Sequence, residues 1–229
     1  MLIIIDKKIP AEAKEKLKEY GELLELETDG IVYDSISGHP DIFFCNLEDA
    51  IVYAPNLPEK YLEPLKERGI KLIKGELPLG KKYPETAKYN AVFTGDTLYS
   101  NFRYTDSVIT NNIGDAELTH INQGYARCSL IPLGNDNFIT SDEGVKRTLE
   151  RFDKNALYVN PEEILLPGKR HGFIGGCCGV YAEKVFFIGS LSHLQDGEKV
   201  KQFINESGLE VVELYDGELF DGGSILFRS

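Results

Sequence analysis

Four segments of the chain repeat one pattern of apolar and polar positions. Each begins with an amphipathic run, continues through a glycine or polar stop, and ends in a short apolar run. This order is typical of a surface helix followed by a β-strand. The segments are AEAKEKLKEYGELLEL (11–26), PEKYLEPLKERGIKLIK (58–74), DEGVKRTLERFDKNALYV (142–159) and DGEKVKQFINESGLEVVEL (196–214).

The predicted helices end and begin at residues suited to those positions. Gly21, Gly69 and Gly208 lie where a helix C-terminus favours a left-handed residue. Ser141 and Asp142 precede the third of these helices and Asp196 the fourth, where a short polar side chain can accept hydrogen bonds from free backbone N–H groups.

Pairs of short apolar runs alternate with the helices and predict β-strands. One run precedes each helix, and a fifth lies between the second and third: LIIID (2–6), AIVYA (50–54), TLYSN (97–101), NFITS (137–141) and KVFFIG (184–189). Their starts are about 40 to 48 residues apart, which indicates a repeat architecture. The last four each follow another strand candidate across a turn: DIFFC (41–45), AVFT (91–94), ARCSLI (126–131) and GFIGGCCGV (172–180).

The first and last strands have no neighbour of this kind. LIIID lacks a partner upstream, and SILF (224–227) lacks one downstream, so we predict that these two strands pair. The result is an α/β fold, a five-bladed pseudo-symmetric α/β-propeller of ββαβ units in one domain over residues 1–229. The units are expected at roughly 1–45, 46–95, 96–131, 132–180 and 181–229.

The third unit is less regular than the others. Residues 101–122 have a weak helical pattern with several Asn and Gly residues. We expect either a distorted helix or a loop over one mouth of the ring, since long loops often carry function. A degenerate repeat with an ordinary surface loop is an equal alternative.

Composition narrows the possible partners. A formal net charge of −12 argues against a nucleic-acid partner and is compatible with a cationic small molecule. The start, MLIIIDKK, is too short for a signal-peptide core, and no apolar run reaches membrane-spanning length. We therefore predict a soluble cytoplasmic protein without a membrane partner. Its four cysteines lack metal-ligand spacing and are expected to be free thiols, so neither metal nor cofactor is predicted.

Several runs, in their order and spacing, resemble those of a known superfamily. They are AVFTGD (91–96), RCSLIPLGNDNFITSDEGVKRTL (127–149) and FDGGSILF (220–227). With the five-unit pattern, they make the whole chain resemble the pentein, or guanidino-group-modifying enzyme, superfamily. This superfamily includes arginine deiminases, amidinotransferases and dimethylarginine dimethylaminohydrolases. The resemblance implies the pentein fold and a monomer or homodimer.

The resemblance also implies a chemistry whose residues are replaced here. Family enzymes use a cysteine near the C-terminus as nucleophile, a histidine in the fourth unit as acid and base, and carboxylates that hold the guanidinium. The cysteine position falls at Leu226, or at Ile225 or Ser224 if the register slips. The histidine position falls near Gln123, and an expected acid aligns near Asn90. The family's covalent mechanism is therefore not expected in its usual form.

A relocated catalytic pair is one alternative. Cys177, beside two glycines that would let a ligand approach, is a candidate nucleophile with His171 at the strand entrance. Because adjacent strand residues point to opposite faces, we expect only one of Cys177 and Cys178 to face the channel. The competing interpretation is two buried cysteines in the core and a histidine at a polar rim.

Residues at the start of the first strand of several units are candidate ligand contacts. His39 and Asp41 open the first channel strand, and Asp221 is a second candidate carboxylate. The alternatives are a surface turn for the first two and a Gly222–Gly223 turn for the third. The further candidates are Asn90, Tyr125, Arg127 and Ser224.

Three classes of function follow from these observations. We expect a protein that binds a small, cationic or guanidino-type ligand in the central channel. One alternative is an active guanidino- or amidino-modifying hydrolase or transferase with a relocated Cys/His set. The other is a non-catalytic structural or interaction protein.

Overall fold

The structure, a computed structural model, describes residues 1–228. Within that range the strands are β1 (Leu2–Asp6), β2 (Glu22–Leu26), β3 (Phe44–Asn46), β4 (Ala50–Tyr53), β5 (Lys71–Lys74), β6 (Val92–Phe93), β7 (Thr97–Ser100), β8 (Glu117–His120), β9 (Leu130–Gly134), β10 (Asn137–Thr140), β11 (Asn155–Tyr158), β12 (Cys178–Tyr181), β13 (Lys184–Phe187), β14 (Glu210–Glu213) and β15 (Leu226–Arg228). The helices are α1 (Ala11–Leu17), α2 (Pro40–Phe43), α3 (Glu63–Glu67), α4 (Ser107–Thr110), α5 (Ala126–Ser129), α6 (Glu143–Arg151) and α7 (Gly197–Glu206). Short 3₁₀ turns lie at Asp34–Ile36, Glu59–Tyr61, Pro161–Glu163, Ile174–Cys177 and Leu191–His193.

The strands form five three-stranded sheets of the same design. Their orders are β15-β1-β2, β3-β4-β5, β6-β7-β8, β9-β10-β11 and β12-β13-β14. In each sheet the middle strand runs antiparallel to the first strand and parallel to the third. A parallel pair needs a crossover connection, which the helices α1, α3, α4, α6 and α7 provide. The predicted ββαβ repeat is thus confirmed in all five sheets.

The predicted pairing of the terminal strands is also confirmed. β1 and β15 are antiparallel neighbours, with Leu2 opposite Arg228 and Ile4 opposite Leu226. β15 therefore supplies the first strand of the sheet that β1 and β2 complete. Residues at the two extremes of the described chain hold one sheet together.

The core lies on both faces of the sheets because successive strand residues alternate in direction. Ile3 and Ile5 of β1 pack with Leu17 of α1, whereas Leu2 and Ile4 pack with the core that surrounds β3 and β4. Every residue of β1 is buried, which explains its continuous apolar run. Each buried apolar side chain of β1 stabilises the fold by roughly 1.5–3 kcal/mol.

Two of the three predicted helix-ending glycines adopt the expected conformation. Gly69 and Gly208 have φ values of 71° and 83°, in the left-handed region. Gly21 has no positive φ, so that prediction is wrong at this position. A Cβ at Gly21 would lie 2.6 Å from the carbonyl oxygen of Met1, so close packing against the start of β1 explains this glycine instead.

Of the two predicted aspartate caps at helix starts, one forms and the other does not. The Asp142 carboxylate accepts a hydrogen bond of 2.9 Å from the Val145 N–H and caps α6 as predicted. Asp196 makes no side-chain capping bond at α7.

The irregular third unit contains a complete sheet. Its segment 101–122 includes the four-residue helix α4 and the strand β8. Asp106 caps α4 through the Val108 N–H at 2.9 Å, and its other oxygen accepts 2.9 Å from the Tyr89 hydroxyl. The distorted helix is thus present, and a buried carboxylate anchors it.

Three predicted first strands begin with a turn of helix, which corrects the sequence interpretation. Pro40–Phe43 and Ala126–Ser129 are α-helical, and Ile174–Cys177 is a 3₁₀ turn, so the extended strands start at Phe44, Leu130 and Cys178. Pro40 at the first helical position favours a turn because its φ is fixed and its missing N–H is not needed there. These turns bring polar side chains from neighbouring units together.

Candidate functional site

Four buried polar side chains meet at the starts of the first strands. The Ser224 hydroxyl donates a hydrogen bond of 2.7 Å to Asp41 Oδ2, and the Cys128 thiol donates to the same oxygen at 3.1 Å. Asn90 Nδ2 donates to the Asp41 carbonyl oxygen at 3.0 Å and lies 3.1 Å from Cys128 Sγ. Each of these four residues is at most 4% exposed. We call them the polar cluster.

The local backbone at Asp41 and Ser224 brings the side chains of the polar cluster together. The Asp41 N–H, at the start of α2, donates to the Gly223 carbonyl oxygen at 3.0 Å and joins two units. Ser224 has a φ of 74°, a left-handed conformation that costs a residue with a Cβ about 1 kcal/mol or more. This strained backbone brings the Ser224 hydroxyl within hydrogen-bond distance of Asp41. The hydrogen bond and the backbone strain therefore occur at the same residue.

Burial in the polar cluster favours the protonated forms of the Asp41 carboxyl and the Cys128 thiol. Burial raises the pKa of Asp41, although the hydrogen bonds from Ser224 and Cys128 oppose that effect. Burial and the neighbouring Asp41 also raise the pKa of Cys128 well above its ordinary value. The thiol is therefore a hydrogen-bond donor at neutral pH and not the thiolate that nucleophilic attack requires.

Beside the polar cluster lies a cavity of about 210 Å³ with an acidic wall. His39 separates two buried carboxyl groups: its Nε2 lies 3.8 Å from Asp6 Oδ2, and its Nδ1 lies 3.9 Å from Asp221 Oδ1. Both distances exceed hydrogen-bond length. Within residues 1–228, His39 Nδ1 has no hydrogen-bond partner, although the residue is 2% exposed. The lining residues are Asp6, Lys8, Asp34, Ser35, His39, Leu166, Pro167, Phe220 and Asp221.

Burial sets the charge of this wall. It raises the pKa of Asp6 to about 6 and, together with the nearby Asp41, that of Asp221 to about 7. Burial lowers the pKa of His39 to about 3, so the imidazole is neutral near pH 7. Asp6 and Asp221 together therefore carry one to two negative charges at neutral pH, and a bound cation would favour their full ionisation. Lys8 and Asp34, which also line the cavity, add one formal positive and one formal negative charge.

A second cavity of about 30 Å³ lies between this wall and Cys128 of the polar cluster. Its lining includes His39, Asp221 and Leu166, which it shares with the larger cavity, and Cys128. The volume suffices for a water molecule or two. Aromatic residues close its other side, and the Tyr33 and Tyr125 hydroxyls are hydrogen-bonded at 3.0 Å. The two cavities thus share lining residues, and Cys128 lines the smaller one.

The structure separates the predicted ligand-binding residues into four places. His39 and Asp221 face the larger cavity, and Tyr125 lines the smaller one. The members of the polar cluster, Asp41, Asn90 and Ser224, lie behind them. The Arg127 guanidinium points elsewhere and donates to the carbonyl oxygens of Gly175 and Cys178 at 2.9 and 3.1 Å.

The candidate catalytic pair does not meet at these cavities. Cys177 is fully buried, and its thiol donates to the Phe173 carbonyl oxygen at 3.2 Å. His171 lies 2.9 Å from the Gly172 carbonyl oxygen through Nδ1 and lines neither cavity. Because Cys177 belongs to a 3₁₀ turn, strand alternation does not apply to it, and Cys178 is fully buried as well.

Sequence reasoning missed two members of the site. Asp6 ends the buried strand β1, and a charged residue directly after four buried apolar ones was an available signal. The sequence predicts Cys128 only as a free thiol, although its neighbour Arg127 is a candidate ligand contact. The contact of Cys128 with Asp41 depends on the helical turn α5 and carries no sequence signature.

No group of three or more His, Cys, Asp and Glu side chains within residues 1–228 is arranged to hold a metal ion. No helix in that range has both the length and the apolar character that a membrane crossing requires.

The five sheets place the chain in the fold class of guanidino-group-modifying enzymes, the pentein fold. DDAH from Pseudomonas aeruginosa, complexed with citrulline, is 16% identical with a TM-score of 0.53, over 93% of this chain and 91% of that chain. C. jejuni agmatine deiminase with substrate bound is 8% identical with a TM-score of 0.57, over 93% and 87%. SxtG, an amidinotransferase from Microseira wollei in the saxitoxin biosynthetic pathway, is 12% identical with a TM-score of 0.52, over 93% and 87%.

The sequence itself defines a narrower group. Residues 4–226 match the model of a family of unknown function, DUF6873, and the chain belongs to that family. No curated protein matches the chain.

Proposed function

We propose that this chain is one pentein-like domain whose five sheets close into a ring, and that it binds a small guanidino-type cation. The cation would lie in the 210 Å³ cavity between Asp6 and Asp221, with His39 at its back. The observation that carries this proposal is the pair of buried carboxyl groups facing one cavity. Within residues 1–228, neither carboxyl has a Lys or Arg side-chain nitrogen within 4.0 Å. Their partners are backbone N–H groups: Lys8 donates to Asp6 at 2.7 Å, and Phe173 and Gly223 donate to Asp221 at 2.8 and 3.0 Å, the last being the turn contact predicted as the alternative role of Asp221.

A guanidinium suits these groups chemically. Its planar fork of N–H donors pairs with carboxylate oxygens through charge-assisted hydrogen bonds. The unpartnered His39 Nδ1 can accept one further N–H when the imidazole is neutral. The net charge of −12 supports a cation over a nucleic acid. The likeness to agmatine deiminase with substrate bound supports the same ligand class.

Several observations favour binding without covalent chemistry. The position of the family nucleophile falls at Leu226, or at Ile225 or Ser224 if the register slips, and none of these is a cysteine. The Ser224 hydroxyl donates to Asp41. All four cysteines are buried. Burial raises the pKa of Cys45 to about 12 and of Cys178 to about 11, and raises those of Cys128 and Cys177 well above their ordinary value. Such thiols are poor nucleophiles. We therefore propose a cytoplasmic binding protein, as monomer or homodimer.

One observation favours the enzymatic alternative. Cys128 lines the small cavity with His39 and Asp221, so it replaces Cys177 as the thiol best placed for a relocated mechanism. When Asp41 is ionised, its carboxylate, which accepts the hydrogen bond from Cys128, can also take the thiol proton. A turnover assay with Cys128→Ser as control tests this alternative.

The test of binding is calorimetric titration with agmatine, arginine and methylguanidine at pH 7.5. We expect saturable binding of a guanidino compound, no binding of the neutral isostere citrulline, and at least about a tenfold loss of affinity in Asp221→Asn. Asp216→Asn, at an exposed carboxylate paired with His193, is the matched control. Equal binding by Asp221→Asn and the unaltered chain, or no binding of any cation, would refute the proposal.

A further inference from the structure

A separate cavity of about 190 Å³ is bounded by every one of the five sheets. Its wall contains residues of the first strand of each sheet, namely Phe44 and Asn46, Val92 and Phe93, Pro132, Val180, and Leu226, together with Ala91, Arg127 and Ile225. None of these residues lines either of the cavities beside His39. The cavity is therefore distinct from the proposed cation site.

The polar cluster separates the two sites along the first strands. Asp41 precedes Phe44 by three residues, Ser224 precedes Leu226 by two, and Cys128 precedes Pro132 by four. Because the first strands lead from the polar cluster into the wall of this cavity, the cavity lies beyond the cluster from the acidic wall. We call it the distal cavity.

The two sites have opposite charge. Of the described residues that line the distal cavity, Arg127 alone carries a charged side chain. Its guanidinium donates to the carbonyl oxygens of Gly175, Cys178 and Leu130 at 2.9, 3.1 and 3.4 Å. Within residues 1–228, no carboxylate lies within 4.0 Å of it. A half-buried guanidinium with only carbonyl partners favours an anion, because burial weakens its hydration.

Apolar side chains contribute part of the rest of the wall, alongside Asn46. Phe44, Phe93 and Val180 supply hydrocarbon surface from three different sheets, and Leu226 adds that of a fourth. A ligand that fits this wall needs a compact apolar body as well as a negative group. A free inorganic anion would satisfy Arg127 but leave the apolar surface uncovered.

We propose that the distal cavity binds a small monocarboxylate with a short aliphatic chain. Its carboxylate would lie on Arg127, and its chain would pack against Phe44 and Val180. This site is independent of the cation site, because the two share no residue.

Titration with butanoate at low salt, followed by ¹H–¹⁵N NMR, tests the proposal. We expect saturable shifts of the Ala91 and Val180 amides and of the Arg127 Nε–H signal, with weak, roughly millimolar affinity. Arg127→Gln should lower the affinity at least about tenfold. Butan-1-ol, which has the chain without the charge, should bind at least about tenfold more weakly than butanoate.

Two further variants protect the test from a folding artefact. Val180→Phe fills the cavity and leaves Arg127 in place, so it should abolish the butanoate shifts while thermal unfolding remains cooperative. Arg147→Gln, at an exposed residue paired with Glu143, should bind as the unaltered chain does. The proposal is overturned if butanoate shifts none of these signals, if Val180→Phe binds it normally, or if butan-1-ol binds equally well.

Discussion

The hydroxyl of Ser224 donates a 2.7 Å hydrogen bond to Asp41 across 183 positions of sequence. This bond connects the segment before β15 to the helical turn α2, and Cys128 of a third unit donates to the same oxygen. The carboxyl group of Asp41 is therefore a junction of three units. Its other oxygen, Oδ1, has no hydrogen-bond partner within residues 1–228.

Two substitutions of Ser224 distinguish the contribution of its hydrogen bond to stability from the cost of its backbone strain. Ser224→Ala removes the donor and keeps a Cβ at a φ of 74°, so we expect a loss of about 1–3 kcal/mol in the free energy of unfolding. Ser224→Gly loses the same donor but relieves the left-handed strain, and it should be more stable than the alanine variant by about 1 kcal/mol. Urea unfolding measures both. An alanine variant as stable as the unaltered chain would contradict the role of the bond.

The titration of Asp221 should lower stability as the pH rises. Its pKa is about 7 in the fold against an ordinary 3.8, so the folded chain binds more protons between these values. The free energy of unfolding should fall between about pH 4 and pH 7, by on the order of 1–4 kcal/mol, and the Asp221→Asn variant should lack that part of the decline. Urea unfolding across pH gives both curves. Parallel curves would show that Asp221 does not titrate this way.

His39 should have the opposite effect on the acid side. Its pKa falls to about 3 in the fold from an ordinary 6.5, so the unfolded chain binds more protons between these values. His39 should therefore destabilise the fold as the pH falls from about 6.5 towards 3. Compared with the unaltered chain, His39→Gln should lose less stability over that range. If the two lose stability equally, the imidazole is not buried in its neutral form.

The cysteines should resist alkylation in the native chain. Because all four are buried and burial raises their pKa values, iodoacetamide at pH 7.5 should modify them only on unfolding. Mass spectrometry with and without urea measures the rates. Rapid native modification of Cys128 that a guanidino compound suppresses would instead favour the relocated catalytic mechanism.

The sequence predicts a strand correctly where both faces of that strand are buried, because such a strand is an unbroken apolar run. LIIID corresponds to β1, and its pairing with the last strand followed from the repeat alone. The helical turns α2 and α5 were not predictable, because four residues are too few to show a helical period. Apolar runs of that length also fit a strand, and tertiary contacts decided the outcome.

The candidate site was predictable only in part for the same reason. His39 and Asp41 stood out because a proline and a glycine flank them, and Asp221 because a glycine pair follows it. Asp6 and Cys128 join the site through contacts between units, which strand patterns do not encode. The choice of Cys177 rested on an extended backbone that the 3₁₀ turn replaces.

The pairing of β1 with β15 affects how the chain folds as it leaves the ribosome. Synthesis runs from the N-terminus, so β1 emerges early while its antiparallel neighbour emerges late. Until Leu226–Arg228 have been translated, one edge of β1 presents unpaired backbone groups that could pair with another nascent chain. Vectorial synthesis therefore leaves the first sheet incomplete for longest, and aggregation during expression should begin there.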